Sequence, residues 1–204
     1  MPAALRIAHR LPRTEAEGPG RRFALWVQGC SLACPGCCNP ELFPRTGGSS
    51  VAVPTLVEEV LAARRDHALD GITVIGGEPL EQAPAIVELA RALQGRGLGV
   101  IVFTGFTWPE VQGRIGGDRL VGAIDTLVCG RFDRGRREPA IGGRRFIGSR
   151  NQTLHHLSPR YAEPALWRGP PALELRITPE GAIEVSGDPG LGARMARRVR
   201  GNSR

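Results

Sequence analysis

Cys30, Cys34, Cys37 and Cys38 fall within one short stretch, WVQGCSLACPGCCNPELF (26–43), while the fifth cysteine, Cys129, lies far downstream in TLVCGRF. Thiolates ligate soft metals, and short spacings let one loop wrap several of them round one centre, with Pro35 and Gly36 permitting a tight turn. In a reducing compartment so dense a group of cysteines is a metal or redox site rather than a set of disulfides. The pattern Cys30-x3-Cys34-x2-Cys37 supplies three ligands from one segment. A cubane iron–sulfur cluster takes four, one per iron, so three would leave one iron open to bind something else. An open coordination position separates a reactive metal site from a closed structural one. The alternative is structural zinc on Cys30, Cys34, Cys37 and Cys38. Zinc sites usually pair two separated Cys/His units, and neither His155 nor His156 stands at such an offset. The two histidines read as ordinary loop or helix residues, and Cys129 as a small buried hydrophobe.

The elements that would position these thiols alternate regularly. FALWVQG (23–29) is an apolar strand running directly into Cys30. PTLVEEVLAARRDHA (54–68) is an amphipathic helix with Pro54 near its start and Leu56, Val60 and Leu61 on one face. GITVIGG (71–77) is a second strand, and APAIVELARALQGRG (83–97) a helix closed by Gly95 or Gly97. Strand GVIVFTG (99–105), a glycine-weakened helix (108–116) and strand AIDTLVCGRF (123–132) repeat the alternation. Such alternation predicts right-handed crossovers and a parallel sheet covered by helices, an α/β fold. Beyond residue 133, DRGRREPAIGGRRFIGSRNQ reads as a polar loop crossing the surface, and ALELRITPEGAIEVSG (172–187) as a β-hairpin turning at Pro-Glu-Gly.

The length of 204 residues supports one domain with a substantial core. No apolar run reaches a membrane span, and MPAALRIAHRLPRTE lacks the apolar stretch of a secretory signal, so a cytoplasmic location without membrane contact is expected. The formal charge is +7, and all 27 basic residues are arginines scattered along the chain. Scattered charge without a nucleic-acid motif is a solvated surface, so no nucleic-acid partner is expected. The last stretch, RMARRVRGNSR (194–204), reads as a frayed or solvated helix.

The cysteine loop resembles that of the radical S-adenosylmethionine (SAM) superfamily, and the chain is most similar to the activating proteins of anaerobic ribonucleotide reductases, relatives of the pyruvate formate-lyase activating enzymes. The likeness is carried by EGPGRR, WVQGCSLACPGCCNPELF, IGGEPLEQ, VFTGFT, IDTLVCGRF and GSRNQTLHHL, in that order, over residues 17–157. It implies a partial (β/α) barrel-like parallel sheet over residues 1–160, with 161–204 as an extension of hairpin and basic tail. It implies a [4Fe-4S] cluster on Cys30, Cys34 and Cys37, with SAM completing the open iron. Gly36, Cys37, Cys38, Gly76, Gly77, Glu78 and Pro79 would contact SAM, the GGEP segment (76–79) meeting its methionine amino group, and Glu78 offering a carboxylate to that ammonium. No protein residue is needed as base or nucleophile. The implied partner is a glycyl radical enzyme, with reduced flavodoxin or ferredoxin as electron donor. Thr104 and Gly105 would share the rim, and Asn151 and Gln152 match a segment returning toward it. One departure stands out: relatives commonly carry an aromatic residue after the third cysteine, where this chain has Cys38, which offers no stacking face. Spacing favours Cys37 over Cys38 as the third ligand.

Overall fold

The computed structural model of the chain describes residues 3–177, 181, 183–188 and 190–192. The tail at 194–204 and Pro179–Glu180 of the expected hairpin turn lie outside the described residues. In chain order the elements are β1 (Ala4–Thr14), β2 (Arg22–Val27), β3 (Ser49–Ala52), α1 (Val53–His67), β4 (Gly71–Gly76), α2 (Ala83–Gln94), β5 (Gly99–Thr104), α3 (Trp108–Arg114), α4 (Gly117–Leu120), β6 (Thr126–Cys129) and β7 (Thr153–His156). β8 (Leu173–Ile177) and β9 (Ile183–Gly187) follow as a separate hairpin.

Seven strands form one open sheet in the order β3-β1-β2-β4-β5-β6-β7. β2, β4, β5 and β6 run parallel, as their apolar runs predict, and carry their carboxyl ends to one rim. β1, β3 and β7 join antiparallel and end the sheet on both sides, so it is partial and open, not a closed barrel. His155 and His156 therefore sit on an edge strand, a correction to their reading as loop or helix residues.

The helices cover one face. α1 starts with proline in its first turn and buries Leu56, Val57, Val60 and Ala63; α2 buries Ile86, Leu89, Ala90 and Leu93. These pack on Leu25, Val27, Ile72, Val74, Val100, Val102 and Leu127. Burying each such side chain contributes about 1.5–3 kcal/mol before entropy, so this layer fixes the strand order. The other face is covered by irregular chain, with Ile147, Tyr161 and Trp167 packing on Ile101 and Val128. The stretch 133–152 thus does more than cross the surface as expected, because Ile147 and Ser149 are buried within it.

Arg22 begins β2 fully buried. Its guanidinium donates to Thr73 Oγ1 (3.1 Å), the Gly99 carbonyl (3.2 Å), the Ile72 carbonyl and the Tyr161 hydroxyl, and lies 4.9 Å from the Tyr161 ring centre. A buried cation is tolerable only with its donors satisfied, and here they tie the covering chain to the sheet. The hairpin attaches through Glu174, which accepts from the Glu15 N–H (2.7 Å), and through Glu17, which accepts from the Gly187 N–H (2.7 Å).

Candidate metal centre at the carboxyl rim

The cysteine loop leaves the end of β2 and returns to it. Gly29 N–H donates to the Leu42 carbonyl (2.9 Å), Cys30 N–H to the Phe43 carbonyl (3.1 Å), and the Gln28 side-chain amide to the Pro44 carbonyl (2.7 Å). Inside, Ala33 (φ 42°) and Gly36 (φ 77°) take left-handed conformations, and Cys37 N–H closes a turn on the Cys34 carbonyl (3.1 Å). Pro35 and Gly36 thus act as the spacing requires, bending the chain so that Cys34 and Cys37 share one turn. Cys30, Cys34 and Cys37 are half-buried, Cys38 is exposed, and Cys129 is buried.

The GGEP segment grips the root of this loop. Gly77 N–H donates to the Val27 carbonyl and Glu78 N–H to the Gly29 carbonyl, both at 2.8 Å. A Cβ on Gly77 would stand 2.2 Å from the Gly29 oxygen, and one on Gly76 2.7 Å from the Val27 nitrogen. The paired glycines are needed because two backbones touch here. Glu78 begins a 3-10 turn (Pro79–Gln82) and is 1 % exposed. Its carboxylate accepts from Leu80 N–H (2.9 Å), Thr104 hydroxyl (2.7 Å) and Gly105 N–H (2.7 Å), so it joins the ends of β4 and β5. Three of its roughly four acceptor positions are taken by these donors. Thr104 and Gly105 do share the rim, as expected, and are bound to Glu78.

An ion pair braces the loop on one flank. Glu81 accepts from Ser31 N–H (2.8 Å) and hydroxyl (2.5 Å) and pairs with Arg45 (3.0 Å). On the other side, the segment leaving β6 lies against the loop: a Cβ on Gly36 would come within 3.2 Å of Arg134 Cδ. Arg131 is held by Glu110 through two hydrogen bonds of 2.8 and 2.9 Å. Asn151 donates to the Arg131 carbonyl (2.8 Å), and Gln152 joins the Gly130 carbonyl (3.0 Å) to Gly148 and Ser149 N–H. These two therefore reach the rim as scaffolding for β6. His155 stacks on Trp108 (4.7 Å), and His156 bonds the Thr126 hydroxyl (2.9 Å), so both histidines have structural partners. Arg131, Glu110 and Glu81 escaped the sequence reading; the signal for Glu110 was the capping box Thr107-x-x-Glu110, which the structure forms.

Burial pushes the Cys30 and Cys34 thiols up, opposed by N–H groups of Leu32 and Ala33 at Cys30 and of Phe132 at Cys34. Cys37 is drawn well below the usual thiol range by the hydrogen bond from Cys38, which is itself pushed up by giving it; Asn39 N–H also donates to Cys37 (3.5 Å). Burial raises Glu78 to about 7, against the hydrogen bonds that favour its charge.

The Cys37 sulfur accepts a hydrogen bond from the Asn39 N–H (3.5 Å), a donor arrangement that suits metal-bound sulfur. Among the described residues, no three His, Cys, Asp or Glu side chains converge tightly enough to hold a single ion.

Residues 16–155 match the family described as the 4Fe-4S single cluster domain. The chain is 30% identical over 159 residues to the anaerobic ribonucleoside-triphosphate reductase-activating protein of Salmonella typhi, a match covering 75% of this chain and 99% of that protein. This chain belongs to that activating-protein family. The family's protein from Escherichia coli K12 is 30% identical over 147 residues, 69% of this chain and 92% of that protein. The pyruvate formate-lyase-activating enzyme of Staphylococcus epidermidis is 36% identical over 91 residues, 43% of this chain and 36% of that protein. Among solved structures, QueE from Escherichia coli aligns with a TM-score of 0.40 and 18% identity over 51% of this chain and 54% of that one. Family membership makes this an activating enzyme of the radical SAM type, with a [4Fe-4S] cluster and SAM as cofactors. The match to the family ends at residue 155, before the β8–β9 hairpin.

Proposed function

We propose that this enzyme installs a glycyl radical on a partner protein, an anaerobic ribonucleotide reductase being the first candidate. Cys30, Cys34 and Cys37 hold the cluster, and Cys38 stays outside it. When bound, the cluster and SAM supply one-electron reductive cleavage of a sulfonium and thereby a hydrogen-abstracting 5′-deoxyadenosyl radical. The chain's own residues do the positioning. Backbone of Gly76, Gly77, Glu78 and Pro79 receives the methionine end of SAM, Gly36 and the Cys37–Cys38 turn border it, and Glu78 keeps that backbone in place through Thr104 and Gly105. Leu32, lying over Gly105, closes the loop against water. No side chain acts as base, because the partner's glycine loses a hydrogen atom and not a proton. Reduced flavodoxin or ferredoxin delivers the electron in the cytoplasm; no helix among the described residues is long and apolar enough to cross a membrane.

The observation that carries this reading is the three-thiol loop gripped by the GGEP backbone, inside a match that spans 99% of an activating protein. The test is anaerobic reconstitution with iron and sulfide, followed by reductant and SAM. 5′-Deoxyadenosine should form, and a glycyl radical signal should appear in an added anaerobic ribonucleotide reductase. Cluster-replete protein that leaves SAM intact would overturn the radical reading, while cleavage without a glycyl radical would overturn the choice of partner.

A further inference from the structure

The β8–β9 hairpin, which lies beyond the end of the family match, wears its apolar face outward. Leu175 stands opposite Val185 and Ile177 opposite Ile183, so the four share one face, and they are 43–77% exposed. The other face, with Glu174 and Ser186, turns to the body: Glu174 accepts from the Glu15 N–H and Ser186 is buried. A contiguous apolar face of this kind marks a contact surface.

The chain leaving β9 starts a helix on that face. Asp188 N–H donates to the Ala172 carbonyl (2.8 Å), which anchors the start to the hairpin base. The Asp188 carboxylate accepts from Leu191 N–H (2.7 Å) and its carbonyl from Gly192 N–H (3.1 Å), the bonds of a capped first turn. Residues 190–192 are helical, and a Cβ on Gly192 would lie 3.5 Å from Val185 Cγ1 and 3.7 Å from Leu173 Cδ1. In the sequence beyond, Met195 and Val199 follow Leu191 at four-residue steps, Arg194, Arg197 and Arg200 fall on the opposite side, and Gly201 is a helix stop. A helix over 189–200 is about 18 Å long, and a strand as long as β8 spans about 16 Å. The two lengths match. We propose that residues 193–200 continue this helix across the outer face of the hairpin, Met195 covering Leu175 and Val185, Val199 covering Ile177 and Ile183, and the three arginines turned to solvent. The occupant of the apolar face is thus this chain's own C-terminal segment.

The experiment is amide hydrogen exchange on the full-length protein, read by mass spectrometry at several protein concentrations. Peptides from 193–200 should be protected at every concentration. Val199→Asp should speed exchange about tenfold or more in both 193–200 and the hairpin, and Arg197→Gln should leave both unchanged. Ile177→Ser, made on the other side of the contact, should speed exchange in 193–200. Unprotected amides in 193–200 would overturn the proposal, as would a Val199→Asp that leaves the hairpin unmoved, the mark of a helix standing free in solvent. Protection that grows with concentration alongside a dimeric mass would assign the face to a second copy. Protection seen only with added anaerobic ribonucleotide reductase would assign it to that partner; either result refutes the proposal. Should Val199→Asp also disturb β4, Ile177→Ser decides alone: faster exchange in 193–200 supports the contact, and no change refutes it.

Discussion

Replacing Glu78 with glutamine should remove most of one pH-dependent component of stability. In the folded protein burial raises this carboxyl from 4.5 to about 7. At about 1.4 kcal/mol per pKa unit, the shift corresponds to about 3 kcal/mol. The sign follows from proton binding. Between the two values the folded state holds a proton that the unfolded chain has released, so stability falls as pH rises through this window. Glu78→Gln presents a neutral side chain of the same shape at every pH, at the cost of one mismatched donor among Leu80, Thr104 and Gly105, about 1–3 kcal/mol. Urea unfolding of the apoprotein at about pH 5 and about pH 8 should show wild type losing about 2.5 kcal/mol more than the variant across that interval. Glu17, also raised to about 7 by burial, contributes equally to both proteins and cancels in the comparison. Equal losses in the two proteins would refute the claim that a buried, titrating carboxyl joins β4 to β5.

Gly77→Ala should destabilise the protein by about 2–4 kcal/mol and lower the iron retained on reconstitution, since its methyl would meet the Gly29 oxygen at 2.2 Å; denaturant melts and iron analysis check both. Arg22→Lys should cost about 3–5 kcal/mol in the same melts, because an ammonium cannot serve Thr73, Tyr161, Ile72 and Gly99 together, and a cost under about 1 kcal/mol would count against the buried network. Cys38→Ser should keep the visible iron–sulfur absorbance and Cys37→Ser should lose it; the reverse outcome would transfer the third ligand to Cys38.

The legible parts of the chain are those whose local pattern coincides with their environment. β2, β4, β5 and β6 are buried on both faces and read as continuous apolar runs, and α1 and α2 carry an apolar stripe. β1 was hidden because Arg6, His9, Arg10 and Arg13 alternate with buried Leu5, Ile7 and Leu11, and two register shifts break the period. β7 was hidden because an edge strand of four residues has no fully buried position. Ile147, Tyr161 and Trp167 stand singly in polar stretches, so nothing local marks them as the cover of the second face. At the rim, the thiols are legible from spacing alone, since one loop holds them. The inward turn of Glu78 and the pairing of Arg131 with Glu110 depend on neighbouring strands and helices, which spacing does not encode.

The most direct test of the central claim is the electron paramagnetic resonance spectrum of the reduced, reconstituted protein before and after addition of SAM. A cluster held by Cys30, Cys34 and Cys37 alone should change its signal when SAM occupies the remaining iron. A cluster signal that SAM leaves unaltered would contradict the account.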